Sequence, residues 1–597
     1  MILEARKPTH FEDALLGLSA LASVALLAWI WAWAGYGFDL TDEGAYLNWM
    51  LRPAFYPNTV HRFAYLLRPF FELLNGDIVS LRRLDLLATF AGTWALALAA
   101  LRVGGLGRLA SWRGPALAAA LAAPCLLVFS IWLTPNYNTL LFQALCLAAM
   151  GSLLALDASE TVRLGGWALV CAGGVLTFLV KAPSAALLAM GVLVLTGVLA
   201  APSRRALAWV IIASGLLLWL AAWWMDGSLM GFIRHSQKGL AHITSLAGGH
   251  GLRYMFRIDR FTLRPAEKGV LALALFAAAG AASLIASPWT RMARAALGVL
   301  GALPFLLLYR WWDGQGSLPF NDYQLSIFLA LPLASLSFLG LGGWQRLKQV
   351  GGRSWGIAAF LVLMPYVLTF GSARNYWINM AWGGVFWSLA GAVLVMDLGR
   401  TALLLPFAAM GQALTVLLLA VTLENPIRQP QPLRLNTSPL VLGGRGSALV
   451  LPASYETYFT DLRDGLKRAG YRAGDPVIDL SGHSMGILFA VEALPMGSPY
   501  LPGDLPGSDA FAVFALRNMS CQDLARSWVL TEPEGPRHLG PQVLSDLGLD
   551  LKRDYRKRFE LMTPPGSRGY SPAYRQEFWR PSDDPSKAEA HCAGARL

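Results

Sequence analysis

The residue types most able to do chemistry in this chain gather in a few short stretches. The first is Phe38-Asp39-Leu40-Thr41-Asp42-Glu43-Gly44-Ala45-Tyr46, which places three carboxylates just beyond the first apolar run. Adjacent acids at a membrane–water boundary either stay solvated or carry function. The neighbouring run His61-Arg62-Phe63-Ala64-Tyr65-Leu66-Leu67-Arg68-Pro69 bears on that choice, because it alternates aromatic and cationic residues in the manner of a helix lying flat in the interface. A second stretch, Thr177-Phe178-Leu179-Val180-Lys181-Ala182-Pro183, ends an apolar run on a lysine, which either snorkels to water or meets an anion. Thr134-Pro135-Asn136-Tyr137-Asn138 is a polar turn between two apolar runs. The region 225–268 supplies Arg234, His235, Lys238, Arg253, Arg257, Arg260 and Arg264. Arginine's fork takes phosphate oxygens in pairs, so one or two of these suit a phosphate or diphosphate clamp. Asp313, Asp322, Arg310 and Arg374 stand at later helix ends as candidates for sugar or acceptor contacts. His61, His235, His242 and His250 have no zinc-ligand spacing.

Another stretch points to a different enzyme. Asp479-Leu480-Ser481-Gly482-His483-Ser484-Met485-Gly486 contains G-x-S-x-G between an expected strand and an expected helix, the setting of a hydrolase nucleophile elbow. Asp504 or Asp509 followed by His538 gives the chain order such a triad requires. Only two strands are expected before the motif, however, and a Gly-rich strand-to-helix turn produces the same letters without catalysis.

The elements that must hold these residues are mostly apolar. The 597 residues are 55% hydrophobic and 14% charged, with a mean hydropathy of +0.46, which excludes an ordinary soluble multidomain enzyme. Runs of spanning length recur at 14–34, 84–103, 115–133, 139–156, 165–180, 184–201, 208–224, 269–288, 296–310, 323–341, 356–371, 379–397 and 401–421. They predict an all-α polytopic bundle of about thirteen helices over residues 1–421, with outer loops at 35–83 and 225–268. Ala32-Trp33-Ala34 imitates a signal-peptidase site, yet the run is long enough to span and more runs come after it, so an uncleaved first helix is expected. Arginines concentrate in one set of short connections, which orients the amino terminus inside and everything after Val421 outside. The formal net charge of +12 resides in the apolar part, and the tail is neutral. That balance suits anionic lipids or substrates and no nucleic acid.

Residues 422–597 read as a soluble α/β domain. Strands are expected near 448–451, 476–480, 510–515 and 528–531, helices near 455–469, 485–493 and 521–525, and a polar, loop-like, partly disordered stretch after Pro564. Cys521 and Cys592 can pair in an oxidising compartment.

Many spans, an acidic motif in the first outer loop with an interfacial helix after it, and an outer carboxy-terminal domain together resemble the GT-C superfamily. These are integral membrane glycosyltransferases that use polyprenyl-phosphate or diphosphate sugars, of the protein O-mannosyltransferase and lipid A aminoarabinose transferase type. Asp42-Glu43 looks like that family's Asp-Glu signature, and Lys181-Ala182-Pro183 is similar to its Lys-x-Pro segment. The resemblance implies Asp42 as general base on the acceptor hydroxyl, with Asp39 and Glu43 as lesser candidates for base, acceptor positioning or metal contact. It implies Lys181 at the donor phosphate, and Arg62, Arg234, Arg257 and Arg260 are the arginine candidates to join it. His61, Tyr137, Asn138, Arg374 and Asp322 are the acceptor and sugar candidates. No metal ligand is assigned, and a divalent ion is admitted as a cofactor. The expected setting is a bacterial inner membrane with a periplasmic tail, and the expected partners are a lipid-linked sugar, an envelope glycan, lipid or protein acceptor, and membrane lipids. A lipid or glycan transporter, or flippase, is the alternative from another class.

Overall fold

The computed structural model describes residues 10–106, 112–131, 133–199, 204–246, 255–260, 290–313, 348–372, 374–397, 404–444 and 446–596, with scattered positions between 265 and 280. Among the described residues nine helices are long and apolar enough to cross a membrane, and Arg113–Phe129 and Gly298–Trp311 are shorter apolar helices. The expected span 323–341 lies outside the described residues, and 269–288 lies largely outside them. The chain is a multi-pass membrane protein with a carboxy-terminal α/β region.

The bundle begins with α1 (His10–Trp33), and the first connection holds two helices, α2 (Asp42–Leu51) and α3 (Phe63–Leu73). Helix α3 buries Phe63, Ala64, Tyr65, Leu67 and Phe71 and leaves Phe70 and Leu73 exposed, the two-sided character of an interfacial helix. Next come α4 (Ile78–Leu101), α5 (Arg113–Ala122), α6 (Tyr137–Leu154), α7 (Glu160–Val180), α8 (Ala182–Leu199), α9 (Arg204–Asp226) and α10 (Leu229–Thr244). Helices α6 and α7 pack backbone to backbone. A Cβ at Gly151, Gly166 or Gly173 would lie 2.5 Å from the other helix's main chain, so these small residues set the separation. The bundle closes with α11 (Thr290–Trp311), α12 (Gly352–Thr369), α13 (Tyr376–Met380), α14 (Gly384–Met396) and α15 (Leu404–Glu424). Nearly every residue of α14 and α15 is buried, as expected for central helices apolar on all sides.

The tail opens with a hairpin of β1 (Ser438–Leu442) and β2 (Ser447–Leu451), paired from Ser438 against Leu451 to Leu442 against Ser447. After it come α16 (Ala453–Arg468), β3 (Pro476–Asp479), α17 (Met485–Ala490), β4 (Leu494–Pro495), α18 (Ser508–Arg517), α19 (Cys521–Arg526), β5 (Trp528–Thr531), β6 (Tyr555–Met562), β7 (Arg575–Pro581) and α20 (Ser586–Gly594). The sheet order is β4-β3-β5-β7-β6, parallel on the β3 side and antiparallel at β5–β7 and β7–β6.

Two expectations for the tail are corrected. The segment 510–515 is helical, part of α18, where Phe511, Ala512, Ala515 and Leu516 form one buried face. A short apolar run is ambiguous between strand and helix, and here tertiary packing decided. The stretch after Pro564 is ordered: β7 sits inside the sheet and α20 is tied to α19 by the Cys521–Cys592 disulfide. The strands of this region are hard to see in sequence because charged residues dominate Arg556-Lys557-Arg558-Phe559-Glu560, as suits an exposed edge strand.

Candidate active site

At one end of the bundle, the end carrying the α/β domain, several helix termini converge. The acid loop leaves α1 and is gripped at once by the domain: Gly37 N–H donates to Val450 O at 3.0 Å and Val450 N–H to Gly35 O at 2.8 Å. Helix α2 then abuts α17. Gly486 N–H donates to Leu40 O at 2.8 Å, and a Cβ on Gly44 would stand 2.1 Å from the Gly486 Cα, so both glycines are required by contact.

The three acids of the loop have separate surroundings. Glu43 is buried, accepts from Asp39 N–H at 2.8 Å, and pairs with Arg82 of α4 at 2.5 Å while Thr134 donates to the same oxygen. Arg82 also donates to the carbonyls of Ala34, Tyr36 and Gly37, so this pair ties the end of α1 together. Asp39 is buried as well and accepts from Thr41 through both N–H and hydroxyl. Burial pushes its carboxyl up to about 7, with Arg428 opposing the shift. Asp42 alone of the three reaches the cavity beside it, and Arg428 Nη1 stands 2.9 Å from its Oδ2.

That cavity holds about 470 Å³, within the range of small-ligand sites. Lys181, between α7 and α8, lies in its wall, its Nζ donating to Leu368 O at 3.2 Å and Ser372 Oγ at 2.8 Å. Tyr137 and Asn138 enter from the start of α6, where Asn136 makes a capping box with Thr139. The His61 ring stacks on Tyr137 with centroids 4.7 Å apart, and its Nδ1 lies 2.6 Å from Val180 O. Arg374 also lines the space. Six of the expected site residues thus share one chamber: Asp42, His61, Tyr137, Asn138, Lys181 and Arg374.

Other expected residues stand outside that wall. Arg62 is buried under the loop, donating to Thr59 O and Ser236 Oγ and lying over the Phe232 ring, where it braces the loop on α10. Arg257 pairs with Asp259 at 2.8 Å, lies over Tyr376 and donates to Arg374 O at 2.7 Å, so it supports the segment that presents Arg374. Arg260 is exposed, its carbonyl near the Asn375 amide, and Arg234 is exposed on α10. Asp322 lies outside the described residues.

The wall also contains residues that no motif marked. Trp49 and Asn58 come from the first connection and Asn379 from α13, beside Tyr46 of the acid stretch. Ser498, Tyr500 and Phe511 come from the α/β domain, which therefore closes the chamber. His242 of α10 joins the parts: its Nδ1 faces Asn58 O at 3.0 Å, its Nε2 faces Phe511 O at 3.1 Å, and its ring stacks on Phe511. Arg428, just past α15, has a backbone φ of 56°, a conformation costing a non-glycine residue on the order of 1 kcal/mol. A strained arginine over two carboxylates is the strongest clue the sequence withheld. Among the described residues no three His, Cys, Asp or Glu side chains are grouped to hold a metal ion.

The G-x-S-x-G turn has no hydrolase geometry. Ser484 is wholly buried, and its Oγ accepts from Arg568 Nη1 at 3.1 Å and Gln576 Nε2 at 3.0 Å. Burial, reinforced by Arg537, Arg428 and Arg568, lowers the neighbouring His483 to about 2 and keeps it neutral. His538 is bonded to Gly535 O and Asp509 to Gly540 N–H, so neither serves Ser484.

No family model and no curated protein matches this chain. Among solved structures, it is similar to the crystal structure of ArnT from Cupriavidus metallidurans in the apo state. The two are 15% identical with a TM-score of 0.41, over 94% of this chain and 97% of that one.

Proposed function

We propose that the protein is a GT-C-type membrane glycosyltransferase that moves a hexose or pentose from a polyprenyl phosphate or diphosphate to an envelope acceptor at the periplasmic face of a bacterial inner membrane. The observation that carries this reading is that Asp42 and Lys181 line one chamber at the helix ends: a carboxylate and an amine that burial pushes down to about 7 share a space of about 470 Å³. In the proposed reaction the acceptor oxygen attacks the anomeric carbon in a single displacement. Its proton passes to Asp42, and the bond from that carbon to the phosphate oxygen breaks with its electron pair leaving on the phosphate. Lys181 and Arg374 offset the charge developing there. Asp39 and Glu43 position the loop, and His61, Tyr137 and Asn138 border the sugar. A divalent ion, if the reaction uses one, would have to share Asp42 with Arg428.

A transporter would be expected to carry ionisable residues at mid-membrane in interrupted helices. The chamber's ionisable residues, by contrast, stand at helix ends. The deciding experiment incubates the purified protein with radiolabelled polyprenyl-phosphate sugars and envelope lipids. Label appearing in an acceptor supports transfer. Label crossing a proteoliposome bilayer while still on its lipid would overturn the reading.

A further inference from the structure

Arg428 is one of the places where the membrane part and the α/β domain meet. Its Nη1 is spent on the acid loop, at 2.9 Å from Asp42 Oδ2, 3.6 Å from Asp39 Oδ2 and within hydrogen-bond reach of Thr41 Oγ1. Among the described residues its side-chain hydrogen bond runs from Nη1, and none runs from Nε or Nη2. The side chain is 24% exposed and lines the chamber. The Nε/Nη2 edge of a guanidinium is the one that takes two oxygens of an oxyanion side by side.

The α/β domain holds this arginine in place through a chain of buried contacts. Arg568 N–H donates to Arg428 O at 2.8 Å, and Arg568 has a left-handed backbone too, with φ 58°. Its guanidinium is buried against Glu532 at 2.8 and 3.2 Å and against Ser484 Oγ at 3.1 Å, while Gln576 bridges Ser484 and Glu532 at 3.0 Å each. The serine of G-x-S-x-G therefore acts as a fixed acceptor for Arg568, and Arg568 sets where Arg428 stands.

Resting on the reading of a lipid-phosphate donor, we propose that the open edge of Arg428 binds the donor's phosphate, so that one guanidinium bridges the base and the leaving group. Hydrogen bonds of about 2.8 Å on either side of a guanidinium put a phosphate oxygen roughly 6–8 Å from Asp42. An acceptor hydroxyl and an anomeric carbon fill that gap at near-attack separations of about 3 Å each. The α/β domain is then part of the donor site, and Glu532, Arg568 and Ser484 are positioning residues for it.

The test titrates farnesyl phosphate, with farnesol as the uncharged control, into the full-length detergent-purified protein and its Arg428→Gly and Arg428→Lys variants. Glycine suits the left-handed backbone, so Arg428→Gly removes the guanidinium without adding strain. Arg428→Gly is expected to weaken farnesyl phosphate binding on the order of 100-fold while leaving farnesol binding unchanged. Arg428→Lys, a point charge that cannot face both ways, is expected to fall about 10-fold below wild type. Wild-type affinity in either variant overturns the inference and leaves the glycosyltransferase reading standing. A wild-type protein that binds farnesyl phosphate no better than farnesol overturns the lipid-phosphate reading and this inference with it.

Discussion

Two arginine–carboxylate pairs lie on either side of the same short loop, and they differ in what surrounds them. In Arg82–Glu43 both side chains are nearly sealed, at 2% and 3% exposed, and the arginine's donors are met by carbonyls and a hydroxyl. In Arg428–Asp42 the figures are 24% and 17%, and the pair borders a chamber. A sealed and satisfied pair can only hold structure, because neither charge can change partner without an uncompensated burial. A pair open on one side can take a ligand and release it. The same chemistry is thus scaffold in one place and reactive in the other, and the difference is solvation and partner count.

The sharpest way to break this contrast is Asp42→Asn. Transfer from a polyprenyl-phosphate sugar should fall by about 1,000-fold or more, the scale of a lost general base, with the thermal midpoint unmoved. Retained turnover would hand the base role to another group. The converse is Arg82→Met, which strands Glu43 in the interior and should cost about 3–5 kcal/mol of stability, read as a lower melting midpoint in detergent. Were that variant to melt normally yet lose activity, the scaffold assignment would be wrong. On the open side, Lys181→Ala should weaken farnesyl phosphate binding by roughly 30-fold, with Lys181→Arg closer to wild type. Equal affinities would return Lys181 to a snorkelling role.

A fourth measurement uses Asp39, the buried acid beside the Arg428–Asp42 pair. Burial raises Asp39 from 3.8 to about 7 in the folded protein. Its folded form therefore holds a proton that the unfolded chain releases near 4. The contribution to stability is fully present below about pH 4 and is lost as pH climbs toward 7. Asp39→Asn should flatten that slope in melting curves taken across the interval, and an unchanged slope would show that other groups set it. The smallest effect is expected for Ser484→Ala. It removes one acceptor from an arginine still paired with Glu532, costing about 1 kcal/mol, and no serine-directed fluorophosphonate should label the wild type. Labelling at Ser484 would revive the hydrolase alternative.

The membrane class, the positions of most spans and the acid loop are legible in the sequence because each is written locally: an apolar run of spanning length, or carboxylates clustered just past the end of one. The cavity residues Asp42, Lys181 and Tyr137 are reached through local signals of the same kind. Arg62 and Arg257 carry the same letters as a phosphate-binding arginine. Only their partners, Thr59 and Ser236 for one and Asp259 for the other, reveal them as braces. Segment 510–515 and strand β7 mislead for a related reason, since a short apolar or mixed run takes its conformation from what it packs against.

The sequence by itself determined that this chain inserts in a membrane, that it gathers acids and cations at helix ends, and that a neutral α/β domain ends it. Periodicity, hydropathy and charge act over a few residues and need no partner to be read. Tertiary structure alone decided which acid faces the chamber, that Gly44 must meet Gly486, and that Arg428 reaches back 386 positions to Asp42 while Arg568 holds it there. Those facts depend on contacts between segments far apart in the chain, and burial and pairing become defined only when the bundle and the domain close on one another.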